Sequence, residues 1–230
     1  MAIKTLAVCG CSWSAVSRHK DYKNTHWSEL LANELQLKLY NLAIPGSSNL
    51  IIRLQIDKAI ELNTDLIIIT PTSPDRIEIP NKFVDEPDRI SYDDVNDYTT
   101  DGNNKYLRSL PLWDFVNKKI PGIEDYVKHL YSSTVKKQID RWIIRDGIHQ
   151  IKLKNIPYII QPQLLWDKNI DIDSDLYQIS NQKNIIDNQT CLFYNRVHED
   201  NNFDPGYHTR LKTQKLFSDR LQILIKELNI

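Results

Sequence analysis

Short apolar runs alternate with stretches of helical periodicity in the first seventy residues, and this alternation limits the fold more than any other feature. The third run, DLIIIT, is continuously apolar, which is typical of a strand buried on both faces of a parallel sheet. Strands joined through helices form right-handed βαβ units, so the pattern predicts an α/β fold with a parallel sheet. The predicted elements are strands at residues 3–9, 39–43 and 65–70 and helices at residues 26–37 and 50–62.

The regular pattern stops after the third strand. Residues 71–105 contain four prolines, many aspartates and few apolar side chains, so they are predicted to form a long irregular excursion. A chain of 230 residues fits one α/β domain. We therefore expect a single domain over residues 1–230 with an irregular insertion at about residues 71–110.

Regular elements return in the second half of the chain. Gly147 is a candidate break within the first of them, and the last helix has Asp204 as a natural N-cap and Pro205 as a natural first residue. The predicted elements are helices at residues 123–154 and 207–228 and a strand at residues 156–161.

Composition limits the classes of partner. A formal net charge of −1 provides no field that attracts nucleic acid or an anionic membrane, so neither partner is predicted. No apolar run has the length of a membrane-spanning helix and the amino terminus lacks signal-peptide features, so a cytoplasmic location is expected. The three cysteines do not form a disulfide framework, and the pair Cys9 and Cys11 lacks the second ligand pair that would predict a metal.

The first strand stops abruptly at Gly10, which is followed by Cys11 and Ser12. Ligands of open α/β sheets bind outside the carboxyl ends of the strands, so a serine here stands where chemistry is expected. Taken alone, these residues fit an ordinary turn better, with Gly10 at the bend and Ser12 capping a neighbouring group. The rest of the chain decides between the two interpretations.

Several motifs, in order, resemble those of the GDSL/SGNH hydrolases. They are VCGCSWS (residues 8–14), NLAIPGSSN (41–49), DLIIITPTSPDR (65–76) and a late Asp/His pair before the last helix. The GCS, PGSSN and TSP segments resemble a phage and marine-bacterial branch of this family, and a phage-encoded protein would act in the host cytoplasm or the virion. The resemblance covers about residues 3–79 well and the last thirty residues loosely. It implies a three-layer α/β/α sandwich around a parallel sheet of about five strands, of flavodoxin-like type.

The resemblance implies that Ser12 is a nucleophile, with His208 as its base and Asp204 as the residue that orients the imidazole. A serine hydroxyl needs such a base within hydrogen-bond reach. The family usually has two residues between the Asp and the His and a proline after the His, whereas this chain has three, and its proline follows Asp204. Positions i and i+4 of a helix share a face, so Asp204 and His208 could still meet. In a second register Asp204 takes the place of the histidine and the site lacks a base.

The resemblance also implies donors for an oxyanion. The backbone N–H groups of Ser12 and Gly46 are two of them. The third donor in the family is an asparagine after the third strand, where this chain has Thr72 and Ser73. Asn49 could contribute its amide if it points inward, and it could equally cap the helix that follows.

The function implied by the resemblance is a serine esterase that forms an acyl-enzyme on Ser12 without a cofactor. Its substrate would be a small-molecule or carbohydrate ester, with an O-acetyl group as one candidate. Arg76 either forms half of a surface ion pair or meets a carboxylate or phosphate of the substrate. The missing asparagine and the Asp/His spacing leave open a catalytically inactive carbohydrate-binding or assembly protein, and an O-acyltransferase is a third interpretation. No oligomeric state is predicted.

Overall fold

The computed structural model describes residues 3–16, 24–72, 76–80, 107–111, 122–161 and 211–227. The strands in these ranges are β1 (Thr5–Cys9), β2 (Lys38–Asn41), β3 (Leu66–Ile69), β4 (Arg76–Pro80), β5 (Leu107–Pro111) and β6 (Tyr158–Ile160). The helices are α1 (Trp27–Glu34), α2 (Asn49–Glu61), α3 (Ile123–His129), α4 (Ser133–Leu153) and α5 (Leu211–Glu227). The strands and helices predicted up to β3 are confirmed to within a few residues at each end.

The central sheet is parallel and has the strand order β2-β1-β3-β6 among the described strands. Ala7 of β1 lies opposite Tyr40 of β2 and Ile67 of β3, and Ile68 of β3 lies opposite Ile159 of β6. The chain moves outward from β1 to β2 and then returns to place β3 on the other side of β1. The order therefore reverses between β1 and β3, and such a reversal opens a crevice at the carboxyl ends of the two strands.

Alternate residues of the strands enter two separate cores, which gives the predicted three-layer α/β/α sandwich. One core joins one face of the sheet to α2 and α4; it contains Ala7, Cys9, Ile52, Ile56, Ala59, Ile67, Ile69, Ile144, Ile148 and Ile151. The other joins the opposite face to α1 and α5; it contains Leu6, Val8, Trp27, Leu31, Leu66, Ile68, Ile159, Phe217, Leu221 and Ile225. This alternation explains why β1 and β3, the two inner strands of the described sheet, are almost entirely apolar, since helices cover both faces of the sheet there.

Side-chain caps start the first two helices. His26 is the N-cap of α1 and forms a capping box with Glu29. Ser48 is the N-cap of α2, and its hydroxyl accepts a hydrogen bond from Ile51 N–H. The cap of α2 matters for the site, because it fixes where the loop after β2 becomes a helix.

Two predictions for the middle of the chain are wrong. The excursion after β3 is not irregular throughout, because β4 and β5 pair as antiparallel strands, with Arg76 opposite Pro111. Gly147 does not break a helix, since it lies inside α4; the helical region is divided at residues 130–132 instead. A Cβ at Gly147 would lie 2.8 Å from Ile56 Cδ1 and 2.9 Å from Arg53 Cδ, so this glycine allows α2 and α4 to approach closely.

The remaining elements agree with expectation where the structure describes them. The strand predicted at residues 156–161 is β6, and the last helix is described from Leu211. Its predicted start, with Asp204 and Pro205, lies outside the described residues. None of the helices in the described ranges combines the length and apolarity needed to cross a membrane.

Candidate active site

Ser12 lies in the turn that follows β1. The Cys11 carbonyl accepts hydrogen bonds from the N–H groups of Ser14 (2.9 Å) and Ala15 (3.0 Å), which reverses the chain. Cys11 is buried, whereas Ser12 is partly exposed. Within the described part of the chain, no acceptor is bonded to Ser12 N–H. Ser12 therefore presents a hydroxyl and an N–H together at the carboxyl end of the central strand.

Gly10 allows this turn to lie directly against the end of β3. A Cβ at this position would lie 1.9 Å from Thr70 Oγ1 and 2.8 Å from Ser14 Cβ. The hydroxyls of Ser14 and Thr70 are 2.6 Å apart, and Thr70 donates to the Cys9 carbonyl at 3.1 Å. The close approach of two buried hydroxyls is what excludes any larger residue from position 10.

The loop after β2 brings a second backbone segment to this edge of the sheet. Gly46 has a φ of 85°, which favours glycine, and Ser47 closes the loop by donating to the Ile44 carbonyl. Gln55, which is completely buried in α2, accepts a hydrogen bond from Gly10 N–H at 2.7 Å and donates to Ser47 Oγ at 3.1 Å. This amide therefore ties the loop after β1 to the loop after β2.

The loop after β3 is held by Asn49. Its Oδ1 accepts from Thr72 N–H at 2.9 Å, and its Nδ2 donates to the Thr72 carbonyl at 2.9 Å and to Asp140 Oδ2 at 3.1 Å. Thr72 Oγ1 in turn lies 3.6 Å from Cys11 Sγ, which is 3.8 Å from Ser12 Oγ. The loops after β1, β2 and β3 thus meet at the crevice, and the chain of contacts ends at the Ser12 hydroxyl.

A charged cluster lies behind the loop after β3. Asp140 of α4 is completely buried, and its Oδ1 accepts from Lys136 Nζ at 2.5 Å. Lys136 also reaches Glu78 of β4 at 3.4 Å, and Arg76 donates from Nε to Thr72 Oγ1 at 3.2 Å. Burial raises the pKa of Asp140 to about 6, and the hydrogen bond from Lys136 opposes that rise. The cluster links α4 and β4 to the loop beside Ser12.

The predicted site residues fall into three groups: some lie at the carboxyl edge of the sheet, Asn49 has partners within the protein, and three lie outside the described residues. Asn49 does not cap α2, because Ser48 does, and both hydrogens of its amide are bonded within the protein. Three predicted residues, Ser73, Asp204 and His208, lie outside the described residues, so the base of the site stays a prediction. The predicted residues that the structure places at the carboxyl edge of the sheet are Ser12, Gly46, Thr72 and Arg76.

Two residues that organise this edge were not predicted, Gln55 and Asp140. Each occupies a position on the buried stripe of its helix, since Gln55 precedes Ile56 and Asp140 stands one turn before Ile144. A polar residue at helical spacing within an apolar stripe must find a buried partner, and that was the signal available in the sequence.

His26 has a structural role in the same region. Its Nε2 donates to the Trp13 carbonyl at 3.2 Å and its Nδ1 contacts Ser28 Oγ at 2.8 Å, so the ring is held from both sides beside the turn of Ser12. The described residues include no group of three or more His, Cys, Asp or Glu side chains that could hold a metal ion.

Comparison with known proteins shows the fold. No family profile built from sequences matches the chain, and no curated protein sequence matches it. Solved structures do match over nearly the whole chain. The psychrotrophic esterase EstA from Pseudoalteromonas sp., in a structure inhibited by monoethylphosphonate, has a TM-score of 0.56 at 14% identity, covering 99% of this chain and 100% of EstA.

Two further structures give the same result. A protein from Desulfitobacterium hafniense DCB-2, described as lipolytic and of the G-D-S-L family, has a TM-score of 0.54 at 11% identity and covers 96% of this chain and 99% of its own. TesA has a TM-score of 0.55 at 13% identity and covers 98% of this chain and 99% of its own. The fold is therefore that of the GDSL/SGNH esterases, as the motifs implied, and the narrower phage and marine-bacterial grouping stays a prediction.

Proposed function

We propose that this chain, with the fold of the GDSL/SGNH esterases, is a serine hydrolase that cleaves an ester through an acyl-enzyme on Ser12. The observation that carries the proposal is the position of Ser12, partly exposed at the carboxyl end of β1 beside the crevice between β1 and β3. Its hydroxyl lies there together with its N–H, which has no acceptor among the described residues. A nucleophile and one oxyanion donor are then supplied by the same residue.

The proposed reaction has two halves. Ser12 Oγ forms a bond to the ester carbonyl carbon while its proton passes to His208, which Asp204 orients. The tetrahedral intermediate then expels the alcohol, which takes the proton from His208, and the acyl group remains on Ser12. Water attacks this acyl-enzyme with His208 again as base, releasing the acid and restoring the serine hydroxyl.

We assign the oxyanion to the backbone N–H groups of Ser12 and Gly46. Among the described residues, Thr72 is already engaged, because its backbone N–H is bonded to Asn49 and its hydroxyl contacts Cys11 and Arg76. Loss of one oxyanion donor typically costs about 3 kcal/mol of barrier, so a site with two backbone donors can remain active at a reduced rate. Thr72 then shapes the site through its contacts with Asn49, Cys11 and Arg76.

Arg76 indicates the region where the rest of the substrate would lie. Its Nε is bonded to Thr72 Oγ1, and no carboxylate among the described residues pairs with its guanidinium. We propose that its terminal nitrogens, which have no carboxylate partner among the described residues, meet a carboxylate or phosphate on a small-molecule or carbohydrate ester.

Covalent labelling with a fluorophosphonate probe tests the proposal. The wild-type protein should take up one probe, at Ser12, and Ser12→Ala should take up none. Ser14→Ala is the matched control, because Ser14 lies two residues away in the same turn but is buried against Thr70; it should still be labelled. A folded wild-type protein that resists the probe would refute a serine hydrolase.

A non-catalytic carbohydrate-binding or assembly protein is the second candidate. It is favoured by one observation: the Asn49 amide and the Thr72 hydroxyl are bonded within the protein, so the side chains near the crevice supply structure rather than donors. Binding of an ester or glycan without probe labelling would support it. Labelling followed by transfer of the acyl group to an added sugar, rather than to water, would support the O-acyltransferase.

A further inference from the structure

The side-chain amide of Asn49 binds the main chain of Thr72, and Asp140 in turn binds that amide. Asn49 bonds both the N–H and the carbonyl of Thr72 at 2.9 Å, as a neighbouring strand would. That pair uses Oδ1 and one hydrogen of Nδ2, and the second hydrogen is accepted by Asp140 Oδ2 at 3.1 Å. All three residues are buried. The loop after β3 therefore takes its position from α2, and the amide on α2 is braced from α4.

Only a carboxylate can serve both partners of position 140. Oδ2 accepts from Asn49 Nδ2 while Oδ1 accepts from Lys136 Nζ, and both of these nitrogen atoms can only donate. An asparagine at this position has one acceptor oxygen, so its own NH2 group would face either the Asn49 amide or the Lys136 ammonium. Two further charged groups of the cluster lie in the described residues: Glu78, which contacts Lys136 from β4, and Arg76, which donates to Thr72 Oγ1.

We propose that Asp140 is a positioning residue of the Ser12 site: by bracing Asn49 it fixes the Thr72 main chain against Cys11, and through Cys11 the turn that carries Ser12. This inference rests on the proposed function for its catalytic consequence. The link is short, because Thr72 Oγ1 lies 3.6 Å from Cys11 Sγ and Cys11 precedes Ser12 directly.

A set of three variants tests the inference. Asp140→Asn removes one of the two acceptors. Lys136→Gln removes the ammonium and leaves both carboxylate oxygens, so it is the matched control for loss of charge in the cluster. The double variant restores complementarity, because the amide introduced at position 140 can accept from Asn49 through its oxygen. Its NH2 group can then donate to the side-chain carbonyl introduced at position 136, as an i,i+4 pair on α4.

The first readout is hydrogen exchange of the Thr72 amide, measured by NMR, which does not depend on activity. Loss of one buried hydrogen bond corresponds to roughly tenfold faster opening, so Asp140→Asn should raise Thr72 exchange by about that factor. Exchange of the Leu42 amide, which bonds the Val8 carbonyl, should stay unchanged. Lys136→Gln and the double variant should both keep Thr72 within about threefold of wild type.

The second readout is the rate of fluorophosphonate labelling at Ser12, which should fall in Asp140→Asn and recover in the double variant. A folded Asp140→Asn protein with wild-type Thr72 exchange overturns the inference, as does a double variant that leaves both readouts impaired. Asp140→Glu, which displaces both acceptors by one methylene, is measured as well, so the result does not depend on one variant folding. If wild type is not labelled but Thr72 exchange responds as expected, the proposed function is refuted, whereas the role of Asp140 in fixing the Thr72 main chain through Asn49 is supported.

Discussion

Replacement of Gly10 by alanine should be among the most damaging single changes near the site. The added Cβ would lie 1.9 Å from Thr70 Oγ1 and 2.8 Å from Ser14 Cβ. Neither neighbour is the end of a flexible chain, so the hydroxyl pair at 2.6 Å and the bond from Thr70 to the Cys9 carbonyl must both break. Two lost bonds at about 1 kcal/mol each and overpacking of about 1–3 kcal/mol together predict a loss of about 3–5 kcal/mol in unfolding free energy.

Urea denaturation of matched variants checks this value. Gly147→Ala is the comparison variant, because the added Cβ there meets Ile56 Cδ1 at 2.8 Å and Arg53 Cδ at 2.9 Å, not a hydroxyl at 1.9 Å, and alanine favours the interior of α4. It should change stability by less than about 1 kcal/mol. Adding Thr70→Ala removes the 1.9 Å contact, so Gly10→Ala should cost clearly less in that background. A loss below about 1 kcal/mol for Gly10→Ala, or strict additivity with Thr70→Ala, would refute the steric explanation.

Three further expectations concern the buried groups. Burial raises the pKa of Asp140 from 3.8 to about 6, so the folded protein holds this proton more tightly than the unfolded chain does, and stability is lost as the pH rises through that interval. The advantage of wild type over Asp140→Asn in urea denaturation should therefore be greater at pH 4 than at pH 7, by about 2 kcal/mol, and an advantage independent of pH would contradict the shift. Burial also raises the pKa of the Cys9 thiol far above its ordinary value, so mass spectrometry should find it alkylated only as fast as the protein unfolds. Phe217→Ala, which removes the edge-to-face contact with Trp27 at 4.9 Å between ring centroids, should cost about 3–5 kcal/mol in thermal or urea unfolding, whereas Ile223→Ala, at a side chain 46% exposed, should cost well under 1 kcal/mol.

Elements that are recognisable from their own residues could be predicted from the sequence. Elements that form only through partners far away in the chain could not. The run LIII of β3 is apolar because helices cover both faces of the sheet, so its type was evident without knowing its neighbours. The pairing of β4 with β5 joins residues about thirty positions apart, and β4 in isolation looks like part of a loop. Gly147 was misinterpreted for the same reason. Its lack of a side chain is needed because Ile56, on another helix, packs against this position.

The candidate site shows the same division. A serine and a glycine at the carboxyl ends of strands could be selected from the sequence because the topology brings such ends together. The role of Asn49 could not, because its partners Thr72 and Asp140 are 23 and 91 residues away. An amide near a crevice suggests a donor for the substrate, and only its actual partners show that its hydrogens are already engaged.

Gln55 has a consequence for how the protein could change over evolutionary time. Its one amide fixes both Gly10 and Ser47, so the two proposed oxyanion donors, which lie close to these residues in the chain, move together with α2. The residue beside it, Ile56, contacts Gly147 at the junction with α4. A substitution at that junction would shift α2 and adjust the spacing of both loops at once, without touching the site. Catalytic rate or ligand preference could thus be tuned by drift in the far core while every residue at the crevice stays the same.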